Sequence, residues 1–532
     1  ERPQRERATT HFQAAGPSGS TDWREMELLD MVNVKVFGNA AFRSNQKRIC
    51  KDALDGHDCM VLMPTGGGKS LCYQLPAVLS AGVTAVISPL LSLIQDQVQA
   101  LCQKACCGGI PATYLSSQQT ETQRRAVLNE LRKSPPSCKL LYITPEQLVK
   151  SGHLQALLGE LHERNQFARL VIDEAHCVSQ WGHDFRPDYK KIGTVMRDLF
   201  PSVPVMALTA TATPEVREDV IKILRMRNCR LSRSTFDRAN LYWRVMEKPM
   251  GRTLDGFPLS LEFVADYIRQ KHRHHCGIVY CATKDECELL ASYLKNTAGM
   301  AVEHYHAGMT PAQRTQVQNL WATDEVRVVC ATIAFGMGID KPDVRFVLHH
   351  TMPKSIEGYY QEAGRAGRDG LPCEALLMYH PVDHSTVLRI ISSGKISKKR
   401  WEMGKRQADL MQEFCEDRRR CRRWQLLKYF GEEFDTSLCR GTCDNCSRKE
   451  KGGREAKEWR FSSWQDNSGM QPLSQRPSTP VGLGRAQTGG FQKASALISK
   501  EDRVQFNWKG ALPAGTAINP RACIALSMSD SE

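Results

Sequence analysis

Residues 58–79 read DCMVLMPTGGGKSLCYQLPAVL, and this stretch decides the fold. Cys59 to Met63 is a short unbroken apolar run, the pattern of a strand buried on both faces. Pro64 ends it. Leu71 to Leu79 then carries apolar side chains in a helical piece. The turn between them, Thr65-Gly66-Gly67-Gly68-Lys69-Ser70, joins a strand to a helix N-terminus, the setting that a phosphate-binding loop requires. Glycines let backbone N–H groups close around phosphate oxygens, and the helix terminus adds positive potential. Lys69 would then reach the β- and γ-phosphates, and the Ser70 hydroxyl would ligate Mg²⁺. Met63 stands where the usual pattern has its first glycine.

The alternation of strand and helix continues outward, from about residue 23 to residue 378. TAVISP, KLLYITP, ARLVIDE, PVMALTAT, CGIVYCAT, VRVVCAT and VRFVLHH are further apolar or β-branched runs separated by helical patterns. They predict parallel sheets covered on both faces. One sheet cannot absorb them all, and the series restarts after KPMGRTLDGFP, residues 248–258. Two α/β lobes are therefore expected, 23–235 and 236–378. Residues 379–446 turn helical and end in clustered cysteines. Residues 1–22 are polar and 447–532 are rich in Gly, Ser, Gln and Pro, so a disordered lead-in and a disordered tail are expected.

The chain has 532 residues, with 72 Lys+Arg against 58 Asp+Glu, a net charge of +14. Composition excludes a wholly disordered chain and points weakly to an anionic partner. The tail after 446 holds 13 Lys/Arg and 8 Asp/Glu, so +5 of the charge sits there. Twenty cysteines at this length are too sparse for a disulfide scaffold,. Most, such as Cys50, Cys59, Cys72, Cys281 and Cys330, read as reduced, buried thiols of an intracellular protein. No apolar stretch follows Glu1, so no signal peptide is expected. The span between Lys69 and Asp96 lacks charge, but Gln74, Pro76, Ser80 and Gly82 break it into helix, turn and strand, and the protein is expected to be soluble.

A second chemical feature closes the strand ARLVI. Asp173-Glu174-Ala175-His176 follows it, and ligands of parallel sheets bind at the carboxyl ends of strands. Asp173 is expected in the Mg²⁺ shell, and Glu174 is expected to orient or deprotonate an attacking water. Residues 177–189, CVSQWGHDFRPDY, hold three aromatics and an arginine beside this pair. Aromatic faces stack on unpaired bases and Arg pairs with phosphate, but a packed loop with Trp181 in the core explains the composition equally well. In the second lobe, QEAGRAGRDG (361–370) sets Arg365 and Arg368 one helical turn apart among small residues. Such arginines can stabilise a transferring phosphoryl group.

Cys421, Cys439, Cys443 and Cys446 form a further cluster, the last two a C-x-x-C knuckle. Four thiolates make a closed tetrahedral Zn²⁺ site. Two disulfides are the alternative, disfavoured in an intracellular setting, and Cys415 is a spare ligand. Residues 395–423 hold eleven Lys/Arg, including Arg418, Arg419, Arg420, Arg422 and Arg423, a candidate contact for duplex backbone or simply a solvated face,.

PTGGGKS, DEAH and QEAGRAGRDG together resemble the motifs of superfamily 2 helicases. Over residues 37–446 the chain resembles the RecQ family of DNA helicases, with MPTGGGKSLCYQLPA and ISPLLSLIQDQV similar to Bloom-type members. The resemblance implies two RecA-like lobes, a helical zinc-binding subdomain at 379–446, and the cofactors ATP, Mg²⁺ and Zn²⁺. It implies single-stranded and duplex DNA as partners, no membrane, 3′ to 5′ movement and work in repair, recombination and replication. It carries adenine reading to Arg43 and Gln46. The nucleotide contacts fall on Thr65, Gly66, Gly67, Gly68, Lys69, Ser70, Gly338 and Asp340. Catalysis falls on Lys69, Asp173, Glu174, Gln361, Arg365 and Arg368. Coupling to DNA falls on His176, Trp181, Phe185 and Arg186, and on Ala207 to Thr213. CRRWQLLKYFGE, beginning at Cys421, resembles the family's zinc-binding segment. Neither a winged-helix nor an HRDC pattern follows Cys446. A strand-annealing protein using its ATPase only as a switch is the alternative, and an RNA remodeller the more distant one. Val504 to Trp508 is a candidate partner motif, and Lys395 to Arg400 a candidate nuclear signal.

Overall fold

The computed structural model describes residues 27–450, apart from 105, 180–185, 337–338, 340 and 394–396. The calls on the lead-in 1–22, on Trp181, Phe185, Gly338 and Asp340, and on most of the tail, Val504 to Trp508 included, lie outside the described residues.

Two all-parallel sheets organise the described chain. The first contains β1 (Cys59–Leu62), β2 (Val83–Ile87), β3 (Ala112–Leu115), β4 (Leu140–Ile143), β5 (Phe167–Ile172), β6 (Val205–Thr209) and β7 (Arg230–Arg233), in the order β3-β4-β2-β5-β6-β1-β7. The second contains β8 (Leu241–Glu247), β9 (Cys276–Tyr280), β10 (Val302–Tyr305), β11 (Val328–Ala331), β12 (Val344–His349) and β13 (Cys373–Tyr379), in the order β10-β11-β9-β12-β13-β8. Every pairing between these strands is parallel. β1, β2, β4, β6, β9, β11, β12 and β13 are buried at every position, and β5 at all but one. Each fully buried Leu, Ile or Val there contributes about 1.5–3 kcal/mol. The uncharged span after Lys69 is helix Leu71–Leu79 followed by β2, and no helix among the described residues is long and apolar enough to cross a membrane.

The chain passes from the first sheet to the second through residues 234–240. Past β13 come helices Pro381–Ser392, Lys398–Glu416, Arg422–Tyr429 and Asp444–Glu450. The last of these runs four residues beyond Cys446, into the stretch expected to open the disordered tail. This helical module is joined to the second lobe through the edge strand β8. The Trp243 N–H donates to Thr442 O at 3.2 Å, and Trp243 bridges Cys443. An aromatic cluster fills the junction, with Phe236 stacked on Phe430 at 4.9 Å and Tyr360 edge-on to Phe430 at 5.0 Å.

Candidate active site

β1 delivers the phosphate loop to the C-terminal edge of the first sheet. Gly66 and Gly68 adopt φ of 80° and 81°, which side-chain-bearing residues adopt only under strain,. The loop is braced from outside. Gln46, 2% exposed, donates from Nε2 to Gly68 O at 3.1 Å and to Gly67 O at 3.4 Å, while its Oε1 accepts the Arg43 N–H at 2.7 Å. Arg43 Nη1 donates to Gly66 O at 3.0 Å. The two residues expected to read adenine thus both grip the backbone of the phosphate loop. The Gln46 carboxamide is turned toward that loop.

Lys69 is half-buried under the loop and donates from Nζ to Met63 O at 3.3 Å. Burial lowers its pKa, against the opposing charges of Glu174 and Asp173. Asp173 follows β5, with its N–H on Ile87 O at 2.9 Å. Burial raises its carboxyl to about 7, with Glu174 adding to the rise and Lys69 opposing it. The three groups therefore form one half-buried, electrostatically linked cluster at the strand ends. Glu174 takes the left-handed backbone conformation, φ 49°. Its carboxylate lies 3.4 Å from His176 Nδ1.

His176, 1% exposed, links this pair to the Ala207–Thr213 segment. Its Nδ1 meets Thr209 Oγ1 at 2.9 Å. The Thr209 hydroxyl donates to Thr211 O at 3.1 Å, so its oxygen is left to accept from a protonated Nδ1. Arg186 is also engaged. It donates from Nη1 to Pro89 O at 2.7 Å, tying the end of the aromatic-rich segment to the start of the 87–98 segment.

The second lobe meets the first through Arg368. A Cβ on Gly66 would sit 3.2 Å from Arg368 Cγ, and the Arg368 charge bears on Lys69. Arg365 occupies a different place. It is 5% exposed and donates to Gly336 O within its own lobe. Of the two arginines expected at the phosphoryl group, the structure brings Arg368 to the loop and uses Arg365 to hold the turn after β11. Gln361 lies one helical turn before them, half-buried on helix Ile356–Ala363 and its continuation.

The sequence reading missed the linker. Arg238 Nη1 donates to Gly364 O at 3.0 Å, and its Nη2 to Ala366 O at 2.6 Å and Gly367 O at 3.1 Å. Asn240 Nδ2 donates to Gly367 O at 2.9 Å. No periodicity marks such residues, because their partners are backbone carbonyls more than a hundred positions away.

In the helical module the four expected cysteines converge, their Sγ atoms all within 4.8 Å of one another and those of Cys421 and Cys443 3.9 Å apart. Four thiolates about 2.3 Å from one centre stand roughly 3.8 Å apart, so the set fits one tetrahedral Zn²⁺. All four thiols are free of disulfides. Cys415 is buried elsewhere and takes no part in the cluster. The basic run divides. Arg418, Arg419 and Arg420 are exposed, but Arg422 and Arg423 are 1% and 4% exposed. Arg422 forks onto Asp444, Nε to Oδ1 at 2.9 Å and Nη2 to Oδ2 at 3.2 Å. Arg423 pairs with Asp237. Neither reading of the run, duplex contact or solvated face, holds for these two: Arg422 is spent inside the module and Arg423 on the linker residue Asp237.

Residues 43–220 match the DEAD/DEAH box helicase model, 260–370 the helicase conserved C-terminal domain, and 381–447 the RecQ zinc-binding model. The chain belongs to the RecQ family. It is 46% identical over 442 residues to ATP-dependent DNA helicase Q-like 4B of Arabidopsis thaliana, covering 80% of this chain and 37% of that protein. To RecQ-like DNA helicase BLM of Xenopus laevis it is 47% identical over 425 residues, 78% of this chain and 30% of that protein. It spans about a third of the length of the first curated relatives it matches. Among solved structures, Mycobacterium smegmatis helicase Lhr bound to ssDNA and AMP-PNP aligns with a TM-score of 0.52 at 20% identity, over 78% of this chain and 57% of that one. That likeness concerns the fold. In this RecQ chain the phosphate loop, the carboxylate pair and the arginine segment fall within the two matched helicase regions, and the cysteine cluster within the third.

Proposed function

We propose that the chain is an ATP-dependent DNA helicase that moves 3′ to 5′ on single-stranded DNA and separates duplex in repair, recombination and replication. The observation that carries this reading is the meeting of Arg368 from the second lobe with Gly66 of the phosphate loop in the first. Neither lobe alone holds a full phosphoryl-transfer site. The relatives' names, ATP-dependent DNA helicase Q-like 4B and RecQ-like DNA helicase BLM, point the same way.

In this mechanism the loop N–H groups and Lys69 hold the β- and γ-phosphates. Glu174 accepts a proton from the water that attacks the γ-phosphorus, the bond to the β–γ bridging oxygen breaks, and ADP and inorganic phosphate result. Arg368 stabilises the charge developing on the transferring group. A Mg²⁺ held by Ser70 and Asp173 would neutralise phosphate charge. ATP draws the lobes together and hydrolysis releases them. Different affinities for DNA in the two states turn that cycle into stepping. His176, through Thr209, is the coupling group on the first lobe, with Arg186 anchoring the segment that meets the strand. The exposed Arg418, Arg419 and Arg420 are candidates for duplex backbone. The same reading puts the chain inside the cell, in the nucleus.

The test is unwinding of a 3′-tailed duplex with ATP and Mg²⁺, beside DNA-stimulated ATP hydrolysis. Lys69→Ala is expected to abolish both. Unwinding that survives the loss of hydrolysis would reject this site as the motor. Hydrolysis without any unwinding by the unaltered chain would favour a strand-annealing protein with an ATPase switch.

A further inference from the structure

The linker 234–240 is gripped at both ends of its reach. On one side Arg238 and Asn240 hold the carbonyls of Gly364, Ala366 and Gly367, the backbone that carries Arg365 and Arg368. On the other, Asp237 pairs with Arg423, Nε to Oδ1 at 2.8 Å. Arg423 reaches from there into the cysteine knuckle, donating from Nη1 to Thr442 Oγ1 at 2.9 Å and Leu438 O at 3.1 Å, with Cys439 O at 3.5 Å. Glu432 adds a second clasp, accepting the Phe236 N–H at 2.8 Å and the Thr235 hydroxyl. The linker is therefore fastened to the module and the second lobe at once. Asp237 and Arg238 are adjacent, so a change in one grip moves the other.

Resting on the functional reading above, we propose that Arg238 is a positioning residue for Arg368, and that the Arg423–Asp237 pair fixes Arg238 by anchoring the linker to the cysteine knuckle. The guanidinium is suited to this task because its planar fork serves three carbonyls of one turn, which a lysine ammonium cannot match in direction. Arg368 lies one residue beyond the last of those carbonyls. A loosened turn would leave nucleotide binding to the first lobe intact while misplacing the charge that stabilises the transferring phosphoryl group.

The experiment compares Arg238→Lys and Asp237→Asn with the unaltered chain in DNA-stimulated ATP hydrolysis, with zinc content, thermal unfolding and stoichiometric nucleotide binding measured on the same samples. The proposal expects kcat per nucleotide-binding site to fall roughly ten- to hundredfold, as for a displaced catalytic group, with KM for ATP unchanged and zinc content at the wild-type level. Unchanged kcat per binding site, even with a lowered Tm, would overturn it and leave Arg238 a purely structural cap. Loss of zinc from Asp237→Asn with normal kcat in Arg238→Lys would overturn it as well. Absence of hydrolysis by the unaltered chain would overturn the functional reading and this proposal together, whereas normal wild-type hydrolysis with unaffected variants sinks the proposal alone.

Discussion

Replacing Gly68 by alanine tests how the phosphate loop is held. Gly68 sits at φ 81°, and a Cβ built there overlaps Gln46 Nε2. Two costs follow. A left-handed alanine costs about 1–2 kcal/mol. Expelling the Gln46 amide breaks its bonds to Gly67 O and Gly68 O, about 1 kcal/mol each. The sum, about 3 kcal/mol, weakens nucleotide affinity by roughly a hundredfold at 1.4 kcal/mol per decade. Calorimetric titration with ADP and a non-hydrolysable ATP analogue measures this directly. Gln46→Ala alone should cost about 2 kcal/mol on the same reckoning. The double variant separates the causes. If the alanine acts by displacing Gln46, adding it to Gln46→Ala should cost only the backbone share, a coupling of about 2 kcal/mol. Wild-type affinity in Gly68→Ala, or full additivity of the two changes, would refute the reasoning.

Two further outcomes follow from buried groups. Burial alone would raise the Glu286 carboxyl, but His350, Lys248 and Thr351 outweigh it and hold the group at about 2. A depressed carboxylate stabilises the fold above its unfolded pKa of ~4.3, and that stability is lost as pH falls toward 2,. Glu286→Gln should therefore cost about 3 kcal/mol at pH 7 in urea unfolding, and the gap should narrow below pH 4.5 as measurements approach pH 3. A gap constant from pH 6 to pH 3 would show that the charge is not its source. For the metal, Cys443→Ser should lose about one equivalent of zinc per chain by elemental analysis, and unchanged zinc would remove the four-cysteine assignment.

The legible and illegible parts of this chain divide along one physical line. The sequence reading found eight strands, β1, β2, β4, β5, β6, β9, β11 and β12, and these are the interior strands whose two covered faces demand continuous apolar runs,. It missed β3, β7, β8 and β10, which are the four sheet edges, and β13. Edges carry mixed polarity: β7 is exposed at three of its four positions, and β3 and β10 are half-buried in their middles. β13 is fully buried but has Glu374 in its run, a charge facing Arg244 at 3.8 Å. The site divides in the same way. Lys69, Asp173 and the cysteine quartet announce themselves because their chemistry fixes residue type at fixed spacing. Arg422 and Arg423 were misread because charge in a sequence carries no sign of where its partner lies; Asp444 and Asp237 are 22 and 186 residues away. A buried Arg must be paired, and a pair of that kind costs 3–5 kcal/mol to break by removing one partner. The positive charge of Arg422 and Arg423 therefore counts toward assembly of the module. Only the neighbouring exposed arginines remain to count toward nucleic acid, which lowers the charge available for phosphate in the 418–423 run from five arginines to three. Salt dependence of DNA affinity, which scales with the number of phosphates neutralised, should accordingly respond to Arg418, Arg419 and Arg420. Changes at Arg422 and Arg423 should appear as lost stability instead.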